Sequence, residues 1–253
     1  MKILDMTGFL TGGGGKTTLS NGFTLAEVLI TLGIIGIVAA MTLPTIVQKQ
    51  QEKVLLTKVK KAYSLISSAI NAYKAEYEVT DVSNLFDTGN SSAETMENFA
   101  KYFKAIEKCQ TTNKGCGGQY SVKPMRKSPN GTGGIKITGL SGRPRFVLPD
   151  GTVIAIEQYP NCDEAYENPV YDENGFATGA VEIRYRRYCA LLFFDVNGPA
   201  KPNQAGRDYF CIAVKEDGTI YDPKSSNCGN ISAVFAEDKL NDVENYNLNG
   251  SYK

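Results

Sequence analysis

The side chains able to do chemistry are scarce and unevenly placed. The chain has no His, which removes Ser-His-Asp and Cys-His catalysis and the commonest zinc ligand. Its cysteines are Cys109, Cys116, Cys162, Cys189, Cys211 and Cys228, and none forms the C-x2-C pair of a zinc site. Six cysteines allow fifteen disulfide pairings. Cys109 with Cys116 is the most local and would close the Gly-rich Thr111–Gly115 loop. Cys211 with Cys228 would tie a strand to the segment after the last hairpin, which leaves Cys162 with Cys189. A free thiol in any pair stays open, and stapling is favoured over redox work. The turn Asp195-Val196-Asn197-Gly198, followed by Gln204-Ala205-Gly206-Arg207-Asp208, offers the carboxylate, amide and backbone oxygens that calcium takes. Asp195, Asn197 and Asp208 are the candidate ligands. Pro199, Lys201 and Pro202 break the alternation of an EF-hand loop, so a plain connection with Asx turns is favoured and no cofactor is assigned. Thr11-Gly-Gly-Gly-Gly-Lys16-Thr17 lacks the first Gly of a phosphate loop, since Leu10 stands there, and no strand precedes it.

One further carboxylate stands out by its surroundings. Glu27 is the only charge between Leu25 and Val47, LAEVLITLGIIGIVAAMTLPTIV. An uncompensated charge in a membrane helix costs about 2.5–3.5 kcal/mol on insertion scales. A new amino terminus at Phe23, created by cleavage after Gly22, would sit one turn away and offset that cost.

Those residues must be positioned by the rest of the chain. Its composition is ordinary for a globular protein, 42% apolar and 21% charged. Lys plus Arg and Asp plus Glu number 27 each, so there is no general pull on nucleic acid. The segment from Val28 to Val47 carries no charge and, as a helix, spans roughly 30 Å, the thickness of a bilayer core. Lys2 and Lys16 precede the span, the Lys-rich stretch Lys49–Lys61 follows it, and all the cysteines lie beyond it. Disulfide chemistry places the C-terminal region outside, although the positive-inside rule alone is ambivalent.

The span continues into QKQQEKVLLTKVKKAYSLISSAINAYKAEYE, which contains neither Gly nor Pro. Leu55, Val59, Ala62, Ile66, Ala69 and Tyr73 recur at helical spacing and form an amphipathic stripe. One helix is expected from Phe23 to Glu78, roughly 80 Å long, with a local kink at Pro44. Ser91 and Glu94 suit a capping box on a short helix with Met96, Phe99, Phe103 and Ile106 on its apolar face. Strands are expected at Tyr120–Met125, Gly134–Leu140, Arg145–Leu148, Thr152–Glu157, Val181–Arg186, Ala190–Asp195, Tyr209–Val214 and Thr219–Tyr221. Pro149-Asp150-Gly151 and Glu216-Asp217-Gly218 read as hairpin turns. The fold class is α+β, a long N-terminal helix, transmembrane then amphipathic, packed on an antiparallel β-sheet head. Arg184, Tyr185, Arg186, Arg187 and Tyr188 cluster and read as a solvated strand face in preference to a DNA-contacting patch. The tail after Asn230 is poorly specified.

The run Gly22-Phe23-Thr24-Leu25-Ala26-Glu27-Val28-Leu29-Ile30, joined to a bilayer-length span, closely resembles the type IV pilin and type II secretion pseudopilin superfamily. The resemblance covers about Gly22 to Ile70. It implies a prepilin cut between Gly22 and Phe23 by a membrane prepilin peptidase, methylation of the Phe23 amine, and a role for Glu27 in neutralising the terminal amine of a neighbouring subunit during assembly. It implies a leader over 1–22, a transmembrane and filament-core helix over 23–47, an amphipathic continuation over 48–78, and a disulfide-stapled α+β head over 79–253. The implied function is structural, not enzymatic: a subunit of a type II secretion pseudopilus. The alternatives are a type IV pilus subunit for adhesion, motility or DNA uptake, and a simple membrane-anchored binding domain. Implied partners are copies of itself or related pilins, an assembly ATPase, a membrane platform and the lipid bilayer. Nucleic acid is expected only in a DNA-uptake role. The implied location is the bacterial cytoplasmic membrane, single-pass, with the head outside, and then a filament.

Overall fold

A computed structural model describes residues 24–110, 115–118, 120–125, 140, 142–172, 176–223 and 228–243. The leader, Gly22, Phe23, the Gly-rich Thr11–Thr17 run and all of the Gly134–Leu140 strand candidate except Leu140 lie outside the described residues. Two compact units divide the chain, residues 1–46 and 47–253. The element shared by both is α1, Leu25–Glu76, a helix of 52 residues that runs through Pro44.

In the second unit α1 buries Leu55, Val59, Ala62, Ile66, Ala69, Ile70 and Tyr73. These are the stripe positions plus Ile70, so the spacing selects the face that packs. The helix ends where Glu78 adopts φ 53° and the Val79 amide turns back to the Lys74 carbonyl at 3.0 Å. A second helix, α2 (Ser92–Ala100), starts at Ser91, whose hydroxyl accepts from the Glu94 amide at 3.2 Å. Met96 and Phe99 on its inner face are buried. The expected face is shorter than its sequence pattern, because the helix stops at Ala100. Phe103 still packs, edge-on to Phe99, but Ile106 is 67% exposed.

The sheet has six antiparallel strands in the order β1 (Glu107–Cys109), β2 (Arg145–Val147), β3 (Val153–Gln158), β6 (Ala190–Asp195), β7 (Tyr209–Val214) and β8 (Ile220–Tyr221). Two tight turns set its register. Gly151 and Gly218, at φ +85° and +81°, return their amides to Leu148 and Lys215. Strand alternation divides the core in two. Ile154, Ile156, Leu192, Phe194, Phe210, Ile212 and Val214 pack with the α1 stripe. Val153, Ala155, Phe193, Tyr209 and Cys211 face the other way, against Val122, Leu140 and Ala205. Each large side chain so buried is worth about 1.5–3 kcal/mol. The Gln158 amide donates to Thr95 Oγ1 at 2.7 Å and locks α2 to β3.

Between β3 and β6 the chain leaves the sheet as a separate two-stranded ribbon, β4 (Glu164–Tyr171) and β5 (Ala177–Arg186). Sequence patterning finds only the second half of β5 and omits β4 altogether. It also omits β1 and a C-terminal helix, α3 (Ile231–Glu237), capped by Asn230. In the other direction, Tyr120–Met125 is not a strand. Among the described residues Val122 and Lys123 hold isolated bridge positions, Lys123 opposite Gln204.

Candidate functional site

In the first unit the described residues form one apolar helix whose large side chains are exposed. Leu25, Leu29, Ile30, Ile34, Ile35 and Val38 are 80%, 62%, 63%, 58%, 62% and 54% exposed. They lie on all sides of the helix, so no single packing face exists. This is the one described helix long and apolar enough to cross a membrane, with mean hydropathy 2.2 over its most apolar stretch. The intrahelical bonds satisfy its backbone, as hydrocarbon requires.

Glu27 sits at the start of this helix and does a local job there. Its Oε2 accepts from the Thr24 amide at 2.8 Å and from the Thr24 hydroxyl at 3.0 Å, while the Thr24 hydroxyl accepts from the Glu27 amide at 3.2 Å. Thr24-x-x-Glu27 is thus a capping box. The sequence reading assigned Glu27 a partner in another subunit and missed this one, although the T-x-x-E spacing carries the signal. Gly22 and Phe23 lie outside the described residues.

In the head the cysteines are joined as Cys109–Cys116, Cys162–Cys189 and Cys211–Cys228. Glu107 approaches the first pair, but both sulfurs are bonded to each other and offer no thiolate to a metal. Buried Arg145 beside that disulfide donates to the carbonyls of Gly115, Cys116, Gly118 and Leu140, which holds the loop closed. Two of the three arginines of the basic cluster at the end of β5 are paired with carboxylates. Arg184 pairs with Glu182, Arg186 pairs with Glu164 at 3.0 Å and stacks over Tyr166 at 3.9 Å, and Arg187 lies over Tyr185. Such pairing leaves little charge for a phosphate backbone.

The β6–β7 connection is the most polar buried part of the head. Asp195 ends β6 and Asp208 precedes β7, and both are fully buried. Asp195 Oδ1 accepts from the Asn197 amide at 3.1 Å. Asp208 accepts from the Asn203 and Gln204 amides, each at 2.7 Å. Burial raises both carboxyls above the usual range. For Asp195 the nearby Asp208 adds to burial; for Asp208 these backbone amides oppose it, and its value is pushed up to about 7. Asn197 Nδ2 donates to the Lys201 carbonyl and Asn203 Nδ2 to the Pro199 carbonyl, both at 3.0 Å. Asn203 escaped sequence reasoning: only the folded loop shows its amide donating to Asp208 and its side chain to the Pro199 carbonyl.

Residues 18–43 match the family described as the prokaryotic N-terminal methylation motif, the signature of type IV pilins and pseudopilins. No curated protein and no solved structure matches the chain. The motif supports a type IV pilin-like subunit processed by a prepilin peptidase, and with the apolar helix it fits a membrane-anchored single-pass protein. A structural, pilin-type subunit is normally not an enzyme.

Proposed function

We propose that the chain is a subunit of a type II secretion pseudopilus, cut between Gly22 and Phe23 and methylated on the Phe23 amine. The observation that carries this reading is the exposed, all-round apolar helix opening on the methylation motif. A helix apolar on every side needs lipid first and neighbouring helices later. Filament assembly supplies both in turn. Residues 1–22 are the leader, 23–47 the span and filament core, 48–78 the amphipathic stem and 79–253 the head. The head lies outside the cytoplasmic membrane, where its disulfides form, and an assembly ATPase and a membrane platform drive extraction. Work done this way is mechanical: a growing filament pushes folded cargo outward, and the chain has no catalytic step.

The same assembly in a type IV pilus is the second reading. The intact mass and N-terminal fragments of the membrane-fraction protein test the shared part. A methylated Phe23 terminus supports processing, and a terminus at Met1 or just past Ala40 refutes it. Deletion then separates the two filaments. Loss of exoprotein secretion with surface pili intact supports the pseudopilus, and loss of surface pili with secretion intact supports the pilus.

A further inference from the structure

We infer that the outer face of the β4–β5 ribbon is a self-pairing surface, on which two copies of this chain meet about a two-fold axis. The ribbon carries its polarity the wrong way round for a solvated hairpin. Its register sets Ala165, Glu167 and Pro169 of β4 opposite Tyr185, Ile183 and Val181 of β5, so these residues share one face. All of them are exposed, and Val181, Ile183 and Tyr185 are each more than half exposed. The intervening residues share the other face, where their polar groups bond to one another. Arg186 pairs with Glu164 and lies over Tyr166, Arg184 pairs with Glu182, and Asn168 Nδ2 donates to Glu182 at 3.0 Å. Glu164, Tyr166, Asn168 and Arg186 are half-buried. A two-stranded ribbon is at best marginally stable in water unless an apolar face is covered. A contiguous exposed apolar face marks a contact surface.

The charges on this face indicate what covers it. They are Glu167 in β4, Arg187 just after β5 and Asp163 just before β4, all exposed. None is in an ion pair among the described residues. Arg187 reaches back over Tyr185, with its guanidinium carbon 5.9 Å from the ring centroid, which keeps it on the apolar face. The register extended by one residue sets Asp163 opposite Arg187. A two-fold axis through the Ala165–Tyr185 row exchanges the rows on either side of it. Each Arg187 then reaches Glu167 of the other copy while Asp163 of its own copy stays beside it. Tyr185 meets Tyr185, and Ile183 packs under the apolar stem of the other copy's arginine. The face is thereby complementary to itself, as an isologous contact requires. Pro169 on β4 and the arginines on β5 disfavour strand addition at the free edges, which leaves the face. The patch is small, so the pairing belongs to the weak, transient class. It closes after two copies and is additional to the head-to-tail contacts that extend a filament.

The test uses the full chain in detergent at high protein concentration. Association is read by sedimentation equilibrium, and the Tm of each variant checks its folding. Wild type is expected to dimerise. Ile183→Asp puts a charge in the middle of the face and should abolish the dimer. Arg187→Glu makes every charge on the face acidic and should weaken pairing about tenfold or more. Glu167→Arg mixed with Arg187→Glu should pair again, because each arginine of one chain then meets a glutamate of the other. All three positions are exposed on a ribbon outside the six-stranded sheet, so the Tm should stay at the wild-type value. A monomeric wild type would overturn the pairing and leave the face to a different protein or a lipid surface. A dimer that Ile183→Asp leaves intact would assign association to the span or another head surface, and would overturn it too. So would a mixture that pairs no better than Arg187→Glu alone.

Discussion

Lys61 on α1 and Asp150 at the tip of the β2–β3 turn meet at 2.7 Å between Nζ and Oδ2. One turn earlier Lys58 donates to the carbonyls of Asp150 and Val196, at 2.9 and 3.1 Å. The amphipathic half of the helix is therefore pinned to the sheet by charge at its polar edge as well as by its apolar stripe. Burial raises the Asp150 carboxyl, and hydrogen bonds from Lys61 and Thr152 outweigh it, so the net direction is below the ordinary value.

That direction gives a pH signature. A carboxyl lowered in the folded state contributes stability above its unfolded value, about 3.9, and loses it as pH falls through the folded value. Thermal unfolding of wild type and Asp150→Asn should therefore differ at neutral pH and converge below about pH 4. A difference that persists unchanged into strong acid would assign the loss to packing.

Glu27 has two jobs that one pair of variants can separate. Glu27→Gln keeps an oxygen for Thr24 but drops the charge, whereas Glu27→Ala removes both. If neutralising a neighbour's terminal amine is what assembly needs, both variants should enter the membrane and both should be missing from filaments. Normal incorporation of Glu27→Gln, with Glu27→Ala excluded, would leave helix capping as the sole role. Quantifying each variant in membrane and sheared-filament fractions decides between them.

Cys211–Cys228 closes a loop 17 residues apart and anchors the segment that follows β8 to β7. Replacing both with Ala should cost about 2–4 kcal/mol, read by denaturant unfolding without reductant. In reductant the wild-type and variant curves should approach each other.

Gly229 sits where no side chain fits. An added Cβ would lie 2.4 Å from the Phe210 ring and 2.6 Å from the Gly206 Cα. Gly206 cannot yield easily, since that contact is backbone. Gly229→Ala should destabilise by about 1–3 kcal/mol and lower Tm by roughly 2–12 °C. An unchanged Tm would mean that the loop after Cys228 packs less tightly on β7.

Legibility followed the strength of the pattern. The α1 stripe was readable because each of Leu55, Val59, Ala62, Ile66, Ala69 and Tyr73 obeys one period and all are buried. Strands β6 and β7 were readable because apolar runs were bounded by turn residues. Strand β4 was not, since EAYENPVY has no apolar alternation and contains Pro169. A proline is tolerated there because the ribbon has only two strands, each with a free edge. The cap on Glu27 was written as Thr24-x-x-Glu27 but overshadowed by its charge.

The path of the chain around β4 and β5 has a consequence for variation. It leaves the sheet at Gln158 and returns at Ala190, and those two residues are register partners in adjacent strands. The Tyr159 amide donates to the Cys189 carbonyl at 2.8 Å, and Cys162 is bonded to Cys189 just inside that exit. The intervening ribbon therefore hangs from a closed gate. Its length, tip and surface can be rewritten without shifting the register of β3 on β6. Residues 163–188 are thus the natural graft point of the head, the place where a tag, an epitope or a foreign loop can be carried while the framework beneath stays the same.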